Sequence, residues 1–265
     1  ATLPSLAVLV IFFWADRYEK ESLFLLFRSF AYGVALPLPI GILQAVFQEP
    51  YQALTSVQQA VWAAPLLEEG LKYMVVLGVL YPSADLNEPY DGILYYVACG
   101  VGFAVHEDIG YILHHSLDGY LASVQTGDPT YFYSDSASIT LLRSIPGHAL
   151  FAAVSGYCLG RARCDDRSST RLWLMSALGG AILTHMLFNG IASTTGLTWL
   201  LVYTAVLCGG VVLLVRDALA RSPFAAPSDE LSILQRKALR DSAAYREGNA
   251  GLFGVLTLLG LAWVG

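Results

Sequence analysis

The chain has 265 residues, of which 55% are hydrophobic and only 14% are charged, and its mean hydropathy is +0.55. Soluble globular domains carry about 25% charged residues, so this composition excludes an ordinary water-soluble protein and indicates a membrane protein. The net charge of −6 provides no basic surface for nucleic acid, and no nucleic-acid partner is expected.

Long apolar runs recur along the whole chain. A helix needs about 20 apolar residues to cross a bilayer core, and about eight runs approach that length. They cover approximately residues 2–15, 23–47, 53–80, 91–114, 138–160, 172–194, 197–215 and 250–265. The opening run lacks the basic start of a signal peptide and is interpreted as a retained span. The sequence therefore predicts an all-α fold, a polytopic transmembrane helical bundle of about eight spans.

No stretch divides the chain into separate domains, so residues 1–265 are predicted to form a single integral-membrane domain. The long polar stretch at 217–249 is predicted to be a cytoplasmic segment within it. Its apolar and basic residues recur at helical spacing, which suits an amphipathic helix on the inner leaflet. A solvated helical linker fits the same pattern.

The basic residues predict the orientation of the bundle. Twelve of the fifteen lie in three connections, at Arg17 and Lys20, at Arg161 to Arg171, and at Arg216 to Arg246. Positively charged connections face the cytoplasm. The connections near 48–52, 116–137 and 194–198 contain no Lys or Arg, so the loop expected at 116–137 is placed outside. The predicted location is a cell membrane, crossed several times.

Ionisable residues interrupt four of the runs, and each costs about 2.5 to 3.5 kcal/mol at the centre of a membrane helix. In the third run, Glu68 and Glu69 lie four and three residues before Lys72. Both pairings fall on one helix face, but Lys72 can neutralise only one carboxylate. A buried ion pair that fixes packing explains one glutamate and leaves the other without a partner.

The fourth run contains His106, Glu107 and Asp108 in succession. Neighbouring helix positions point about 100° apart, so the three side chains cannot share a face. Glu107 shares its face with Phe103 and Tyr111 and is expected to point inward. His106 and Asp108 are expected to reach neighbouring helices or the outer interface, and His106 fits a packing role as well as a ligand role.

The fifth and sixth runs contribute His148, after Pro146 and Gly147, and His185 with Asn189 four residues later. The i,i+4 spacing points the imidazole and the carboxamide to the same side. By residue count, these side chains and the glutamates of the third and fourth runs all lie in the middle or outer half of the membrane. A purely structural role does not predict this shared depth.

These residue types suit hydrolytic chemistry. Imidazole and carboxylate groups bind zinc, and a catalytic zinc needs about three protein ligands and an open position. A glutamate beside a bound water can act as general base, which fits Glu68 or Glu69, and Asn189 can hydrogen-bond a developing oxyanion. The sequence has no Gly-x-Ser-x-Gly, Walker or His-Glu-x-x-His motif, so serine hydrolysis, ATP binding and the zincin helix are unsupported.

The ordered set of motifs resembles the PrsW intramembrane proteases, within the superfamily of CAAX-processing and Abi-type membrane proteases. The matching segments cover most of the chain. They are Asp16-Arg-Tyr-Glu-Lys-Glu, Glu68-Glu69-x-x-Lys72, Glu88-Pro-Tyr-Asp91-Gly92, Gly102-Phe103-x-x-x-Glu107, Gly147-His148 with Gly156-Tyr157, and His185-x-x-x-Asn189.

The resemblance implies a protease in a bacterial or archaeal inner membrane that cuts a membrane-anchored protein, as the founding type cuts an anti-sigma factor. It assigns the catalytic role to Glu68 and Glu69, and metal binding to Glu107, His148 and His185. Asp108 stands where Asn commonly follows the fourth-run glutamate, which adds a possible ligand. Zinc is the expected cofactor, although a metal-free, glutamate-activated water has been argued for some branches of the superfamily.

The leading hypothesis is therefore peptide hydrolysis near the extracytoplasmic side, with the active site between the third to sixth spans. Supporting roles, in contact with the active-site residues and not with the substrate, are expected for Lys72, His106 and Asp108. The alternative is an ion- or proton-coupled transporter or channel that uses the same residues as a relay. It predicts a polar path to both surfaces, which the apolar cytoplasmic halves of these spans do not offer. A noncatalytic relative with the same fold is a third possibility.

Overall fold

The computed structural model describes residues 2–165 and 168–225, and all regular structure in that part is helical. In chain order the helices are α1 (Thr2–Ala15), α2 (Leu23–Ala35), α3 (Pro37–Val46), α4 (Gln48–Gln52), α5 (Ser56–Gln58), α6 (Ala64–Val75), α7 (Pro89–Thr126), α8 (Thr130–Arg143), α9 (Gly147–Cys164), α10 (Thr170–Thr194) and α11 (Leu197–Ala220). Two π-helical turns, Gln59–Ala63 and Val76–Leu80, flank α6. The all-α prediction is confirmed over the described residues.

Three helical stretches of the described chain are long and apolar enough to cross a membrane. They are Leu23–Val46, Thr170–Thr194 and Leu197–Ala220, and α1 is a shorter apolar helix. The count of about eight spans stays a prediction. The last run, 250–265, and residues 226–249 of the polar segment lie outside the described residues.

Helix α7 is the centre of the bundle. It packs against α1, α2, α8 and α9, while α10 packs against α6 and α9. Its first three turns are enclosed by these neighbours, and Ile93, Leu94 and Val97 have no exposed surface. The close-packed apolar stretch between Asp91 at the start of α7 and Glu107 near its middle therefore holds both side chains in fixed positions.

Small residues allow α7 and α9 to approach closely. A Cβ atom on Gly156 of α9 would overlap the carbonyl oxygen of Gly92 on α7, and a Cβ on Gly92 would overlap the carbonyl of Gly156. Backbone contact of this kind is typical of membrane helix pairs, where small residues replace bulky side chains at the crossing. This contact fixes α9 against the start of α7.

The structure corrects two expectations about connections. Residues 116–137 do not form a loop, because α7 continues to Thr126 and α8 begins at Thr130. No proline interrupts α7 after Pro89, and the helix ends only at Gly127, whose φ of 72° is in the left-handed region that favours glycine. The fifth run, predicted at 138–160, is likewise broken, since α8 ends and α9 begins on either side of Pro146.

Candidate active site

Three helices bring four acidic and imidazole side chains together inside the bundle. Glu68 and Glu69 come from α6, His148 from the first turn of α9, and His185 from the middle of α10. Each of the four offers a ligand atom within 4.8 Å of the others, and all four are buried. We refer to these four residues as the Glu/His cluster.

Glu69 is the more enclosed of the two glutamates. Its Oε1 accepts hydrogen bonds from Lys72 Nζ at 2.8 Å and from His185 Nδ1 at 3.0 Å. Lys72 has no exposed surface, lies 2.9 Å from Nδ1 of His148, and rests over the ring of Phe103. Lys72 therefore neutralises Glu69 and leaves Glu68 without a lysine partner, which answers the question that the i,i+3 and i,i+4 spacing left open.

Glu68 faces open space. It lines a cavity of about 200 Å³ together with His148 and His185, while Glu69 is not in the cavity wall. The Oε2 atom of Glu68 is buried and has no hydrogen-bond partner in the protein. It lies 4.0 Å from Nε2 of His148. This arrangement is expected for a carboxylate that interacts with a ligand or water molecule bound in the cavity.

Glu107 also lines the cavity, on the side of α7. Its Oε2 contacts Nε2 of His148 at 2.7 Å and Nη2 of Arg143 at 2.6 Å. The inward direction predicted for Glu107 is confirmed. Its predicted role as a metal ligand stays a prediction, because Glu107 is not among the four residues whose ligand atoms lie within 4.8 Å of one another.

Arg143 is a site residue that the sequence analysis missed. It is the last residue of α8, and its guanidinium binds Glu107 and Asp108, the latter at 2.7 Å from Nε. It also lies over the ring of Tyr111 at 4.8 Å. The available signal was a single basic residue inside a predicted apolar run, after two spans that contain acidic residues.

Asn189 reaches the cavity from α10, one turn beyond His185. Its side-chain amide donates to the carbonyl oxygen of Ala60 at 2.7 Å. Ala60 lies in the π-helical turn that precedes α6, and such turns leave backbone carbonyls without their usual helical partners and often occur at functional sites. One N–H of Asn189 is thereby fixed, and the second is available to a ligand.

His106 lies behind the cavity wall, whereas Asp108 lines the cavity beside Glu107. Nδ1 of His106 contacts the carbonyl oxygen of Val34 on α2 at 2.7 Å, which is a packing contact between helices. Asp108 is 1% exposed and binds Arg143. The structure thus separates the three successive polar residues of α7, with Glu107 in the cavity and its neighbours directed to other helices.

Aromatic rings shape the remaining wall of the cavity. Phe151 of α9 stacks on the ring of His185 with centroids 4.7 Å apart, and Phe188 packs edge-on to Phe151 at 5.5 Å. Stacking fixes the imidazole plane, and the apolar rings exclude water from one side of it. The charged groups therefore act in a low-dielectric environment, where their interactions are strong.

The charges of the connected side chains do not cancel. Four carboxylates, on Glu68, Glu69, Glu107 and Asp108, are joined to two cations, Lys72 and Arg143. The group keeps two negative charges when its carboxylates are ionised and its imidazoles are neutral. A divalent cation would balance this charge, and zinc accepts both imidazole and carboxylate ligands. The buried Glu/His cluster can therefore bind a metal.

Comparison with known proteins identifies relatives of the chain. The family described as "PrsW family intramembrane metalloprotease" matches residues 21–215. Protease PrsW of Bacillus subtilis (strain 168) is 30% identical over 182 residues, covering 69% of this chain and 76% of the relative. Protease PrsW of Geobacillus kaustophilus (strain HTA426) is 32% identical over 160 residues, covering 60% and 64% respectively.

Protease PrsW of Clostridioides difficile (strain 630) is 30% identical over 198 residues, covering 71% of this chain and 77% of the relative. No solved structure matches the chain. The family match spans all four residues of the Glu/His cluster, from α6 to α10. With a family match over most of its length, the chain belongs to the PrsW family of intramembrane proteases.

Proposed function

We propose that the Glu/His cluster is the active site of a zinc-assisted protease that hydrolyses a peptide bond of a membrane-anchored protein. The observation that carries the proposal is the position of Glu68, whose unpartnered carboxylate oxygen lies in the wall of a cavity beside two histidines. Family membership supplies the reaction class, and the side chains around the cavity supply the chemistry.

The four donors of the cluster divide into three ligands and one base. A catalytic zinc site uses about three protein ligands, and Glu69, His148 and His185 provide them from three helices. Glu68 is left as the base because it alone of the two glutamates lines the cavity. A bound zinc ion would polarise the scissile carbonyl and acidify the attacking water.

Glu68 takes a proton from the attacking water as the water oxygen bonds to the carbonyl carbon of the substrate. The carbonyl π electrons move to oxygen, which gives a tetrahedral intermediate. When the C–N bond breaks, the protonated Glu68 returns the proton to the leaving nitrogen. Glu68 thus ends each cycle in its starting state, as a general base that becomes a general acid.

Arg143 and Asn189 are placed to bind the substrate. Both line the cavity, and each has N–H groups beyond those used in its hydrogen bonds within the protein. A fixed donor aimed at a developing oxyanion contributes about 3 kcal/mol to catalysis. Arg143 is held by two carboxylates, so its guanidinium is positioned before the substrate arrives.

We infer that cleavage takes place toward the extracytoplasmic side. Glu107 lies about 24 Å along α7 from Asp91, whose end of the helix lies beside the connection that carries Arg17 and Lys20. Basic connections face the cytoplasm. The substrate class that fits is a single-span protein cut near its outer juxtamembrane segment, and an anti-sigma factor is one such protein.

The transporter alternative is less well supported. A relay needs polar groups that continue through the membrane, whereas the first three turns of α7 carry fully buried apolar side chains such as Ile93, Leu94 and Val97. The direct contact between Gly92 and Gly156 leaves no room for water there. Among the described residues, the start of α7 therefore offers no polar path leading away from the cavity beside Glu68.

The test is a cleavage assay with the purified protein reconstituted in liposomes. The substrates are a library of single-span proteins, and mass spectrometry detects new termini. Glu68→Gln is expected to lower turnover by about 10³-fold, since it removes the base and keeps the side-chain shape. Glu49→Gln, at an exposed glutamate of α4, is the matched control. Full turnover by a correctly inserted Glu68→Gln variant would overturn the proposal.

A further inference from the structure

A second group of buried acids lies at the start of α7, about 24 Å along the helix from Glu107, which contacts the Glu/His cluster. Asp16 follows α1, Glu21 precedes α2, and Glu88 and Asp91 begin α7. Their exposed fractions are 1%, 7%, 0% and 0%. We call these four residues the acidic cluster. They belong to the two segments, 16–21 and 88–92, that the sequence analysis singled out and that proteolysis does not explain.

In three of these four carboxylates, one oxygen accepts a hydrogen bond from the protein. Oδ2 of Asp91 accepts hydrogen bonds from the backbone N–H groups of Asn87 and Glu88, both at 2.8 Å. The hydroxyl of Ser222, beyond α11, donates to Oε2 of Glu88, and the hydroxyl of Tyr95 donates to Oε2 of Glu21. The carboxyl of Glu21 is also within hydrogen-bonding reach of Asp91. The cluster is therefore built by three separate segments of the chain, 16–21, 87–95 and Ser222.

Five buried oxygen atoms of this region have no hydrogen-bond partner in the protein. Two belong to Asp16, and one each to Asn87, Glu88 and Asp91. The Asp16 side chain is almost completely buried, and its charge acts on the carboxyl of Glu88. Unpaired buried carboxylate oxygens cost several kcal/mol unless a cation or a proton compensates them.

No lysine or arginine in the described residues forms an ion pair with the acidic cluster. Lys20 is nearby and its charge partly stabilises the carboxylate of Asp16, but its ammonium donates to the backbone carbonyls of Phe13 and Asp16 and not to a carboxylate. The pKa values report the same lack of compensation. Burial, with a smaller contribution from the charges of Glu19 and Asp85, raises the pKa of Glu21 to about 8. Burial also raises the pKa of Glu88 to about 7.

We propose that the acidic cluster binds a hard divalent cation, Ca²⁺ or Mg²⁺, which links the α1–α2 turn to the start of α7. The buried atoms without hydrogen-bond partners here are carboxylate and amide oxygens, the ligands that these ions prefer. Zinc would instead favour imidazole or thiolate ligands, as in the Glu/His cluster. The cation supplies the positive charge that the described side chains lack.

Binding requires the acidic cluster to close. Within the described residues, only the Glu/His cluster already has three or more ligand atoms within 4.8 Å of one another. The carboxylate of Asp16 has no partner in close hydrogen-bond geometry and faces only the backbone N–H groups of Tyr18 and Glu21. No side-chain contact among the described residues therefore keeps it from turning toward Glu88 and Asp91. This movement would connect α1, α2 and α7 through the bound cation. The hydrogen bond from Ser222 to Glu88 would connect the residues that follow α11 to the same site.

The test measures the melting temperature of the purified full chain in detergent after treatment with EDTA. Saturating Ca²⁺ or Mg²⁺ is expected to raise the Tm by about 5 °C. Asp16→Asn should raise the Tm of the cation-free protein, because it removes one uncompensated charge, and should abolish the response to the cation. Glu68→Gln should keep the response, since its change lies at the Glu/His cluster.

Terbium luminescence gives a second measurement that does not depend on the Asp16 variant. Tyr90 and Tyr95 adjoin the acidic cluster and can sensitise bound Tb³⁺. Ca²⁺ or Mg²⁺ should displace the ion, and the signal should persist in Glu68→Gln. The proposal is overturned if the wild type shows neither response, if Asp16→Asn responds as fully as the wild type, or if Glu68→Gln abolishes both responses.

Discussion

Two groups of buried acids lie along α7, one at its start and one beside the cavity near its middle, and the protein compensates their charges differently. At the cavity end, Lys72 and Arg143 pair with three of the four carboxylates, and the remaining one, Glu68, faces a cavity. At the other end, the described lysines and arginines leave the acidic cluster unpaired. A single buried carboxylate without an ion-pair partner, placed beside histidines and a cavity, suits catalysis. Several unpaired carboxylates close together suit the binding of a cation.

The largest effect on stability is expected from removing the cation of the cavity end. Lys72→Met leaves Glu69 buried without a positive partner, and breaking a buried pair in this way costs about 3–5 kcal/mol. The double variant Lys72→Met/Glu69→Gln should regain most of that loss, because no isolated charge remains. Unfolding titrations in detergent measure both. An unchanged unfolding free energy in Lys72→Met would show that Lys72 does not compensate the charge of Glu69, and the two groups of acids would then not differ in this respect.

A second variant should damage both ends together, since it separates the helices that connect them. Gly156→Ala places a methyl group against the carbonyl of Gly92, and forcing the backbones apart costs about 1–3 kcal/mol. Gly179→Ala on α10 is the matched control, because nothing lies within 4 Å of the added Cβ. Tm and cleavage are the measurements. Equal behaviour of the two glycine variants would mean that the α7–α9 contact does not fix the site.

Substitutions of Arg143 sharpen the account of the cavity end. Arg143→Ala is expected to lower kcat/KM by about 10²-fold, equivalent to about 2.7 kcal/mol, because Glu107 and Asp108 lose their shared partner. Arg143→Lys should recover only part of this, since an ammonium group cannot bind both carboxylates in the geometry of a guanidinium. If the two variants cleave substrate equally well, bidentate positioning by Arg143 is not needed.

The smallest expected effect is the pH dependence of the acidic cluster without a divalent cation. The pKa of Glu21, ordinarily 4.5, is raised to about 8 by burial. The folded state therefore holds a proton that the unfolded chain has already lost. This stabilisation is complete below pH 4.5 and disappears as the pH rises through 8.

The Tm of EDTA-treated protein should accordingly fall by about 2–4 °C between pH 6 and pH 9, and Glu21→Gln should flatten the profile. Saturating Ca²⁺ should also flatten it, because the ion replaces the proton as the compensating charge. A Tm that rises over this interval in the cation-free wild type would contradict the assignment.

Much of the cavity end could be predicted from the sequence because its residues interrupt apolar helices. Glu68, Glu69, Glu107, His148, His185 and Asn189 all stand out in this way, and the structure places each of them in or against the cavity. The partners could not be predicted, since helical spacing allowed Lys72 to pair with either glutamate. Only the tertiary contact with His185 and His148 shows why it pairs with Glu69.

Arg143 and the helical hairpin formed by α7 and α8 were missed in the sequence analysis. Both depend on tertiary contacts that the sequence pattern does not show. Polar and aromatic residues near 116–137 suggested a loop, but a helix lacking proline continues wherever neighbours bury one of its faces, and α8 packs along α7. That packing brings Arg143 back to Glu107 and Asp108, 36 and 35 residues earlier in the chain. Contacts of such long sequence separation leave no periodic signal.

Metal content tests the central claim most directly, namely that the Glu/His cluster holds a zinc ion beside Glu68. Elemental analysis of the purified protein is expected to find about one zinc per chain in the wild type and in the Glu49→Gln control. The double variant His148→Ala/His185→Ala should contain none. An active wild-type preparation free of zinc, or full zinc content in the double-histidine variant, would contradict the account.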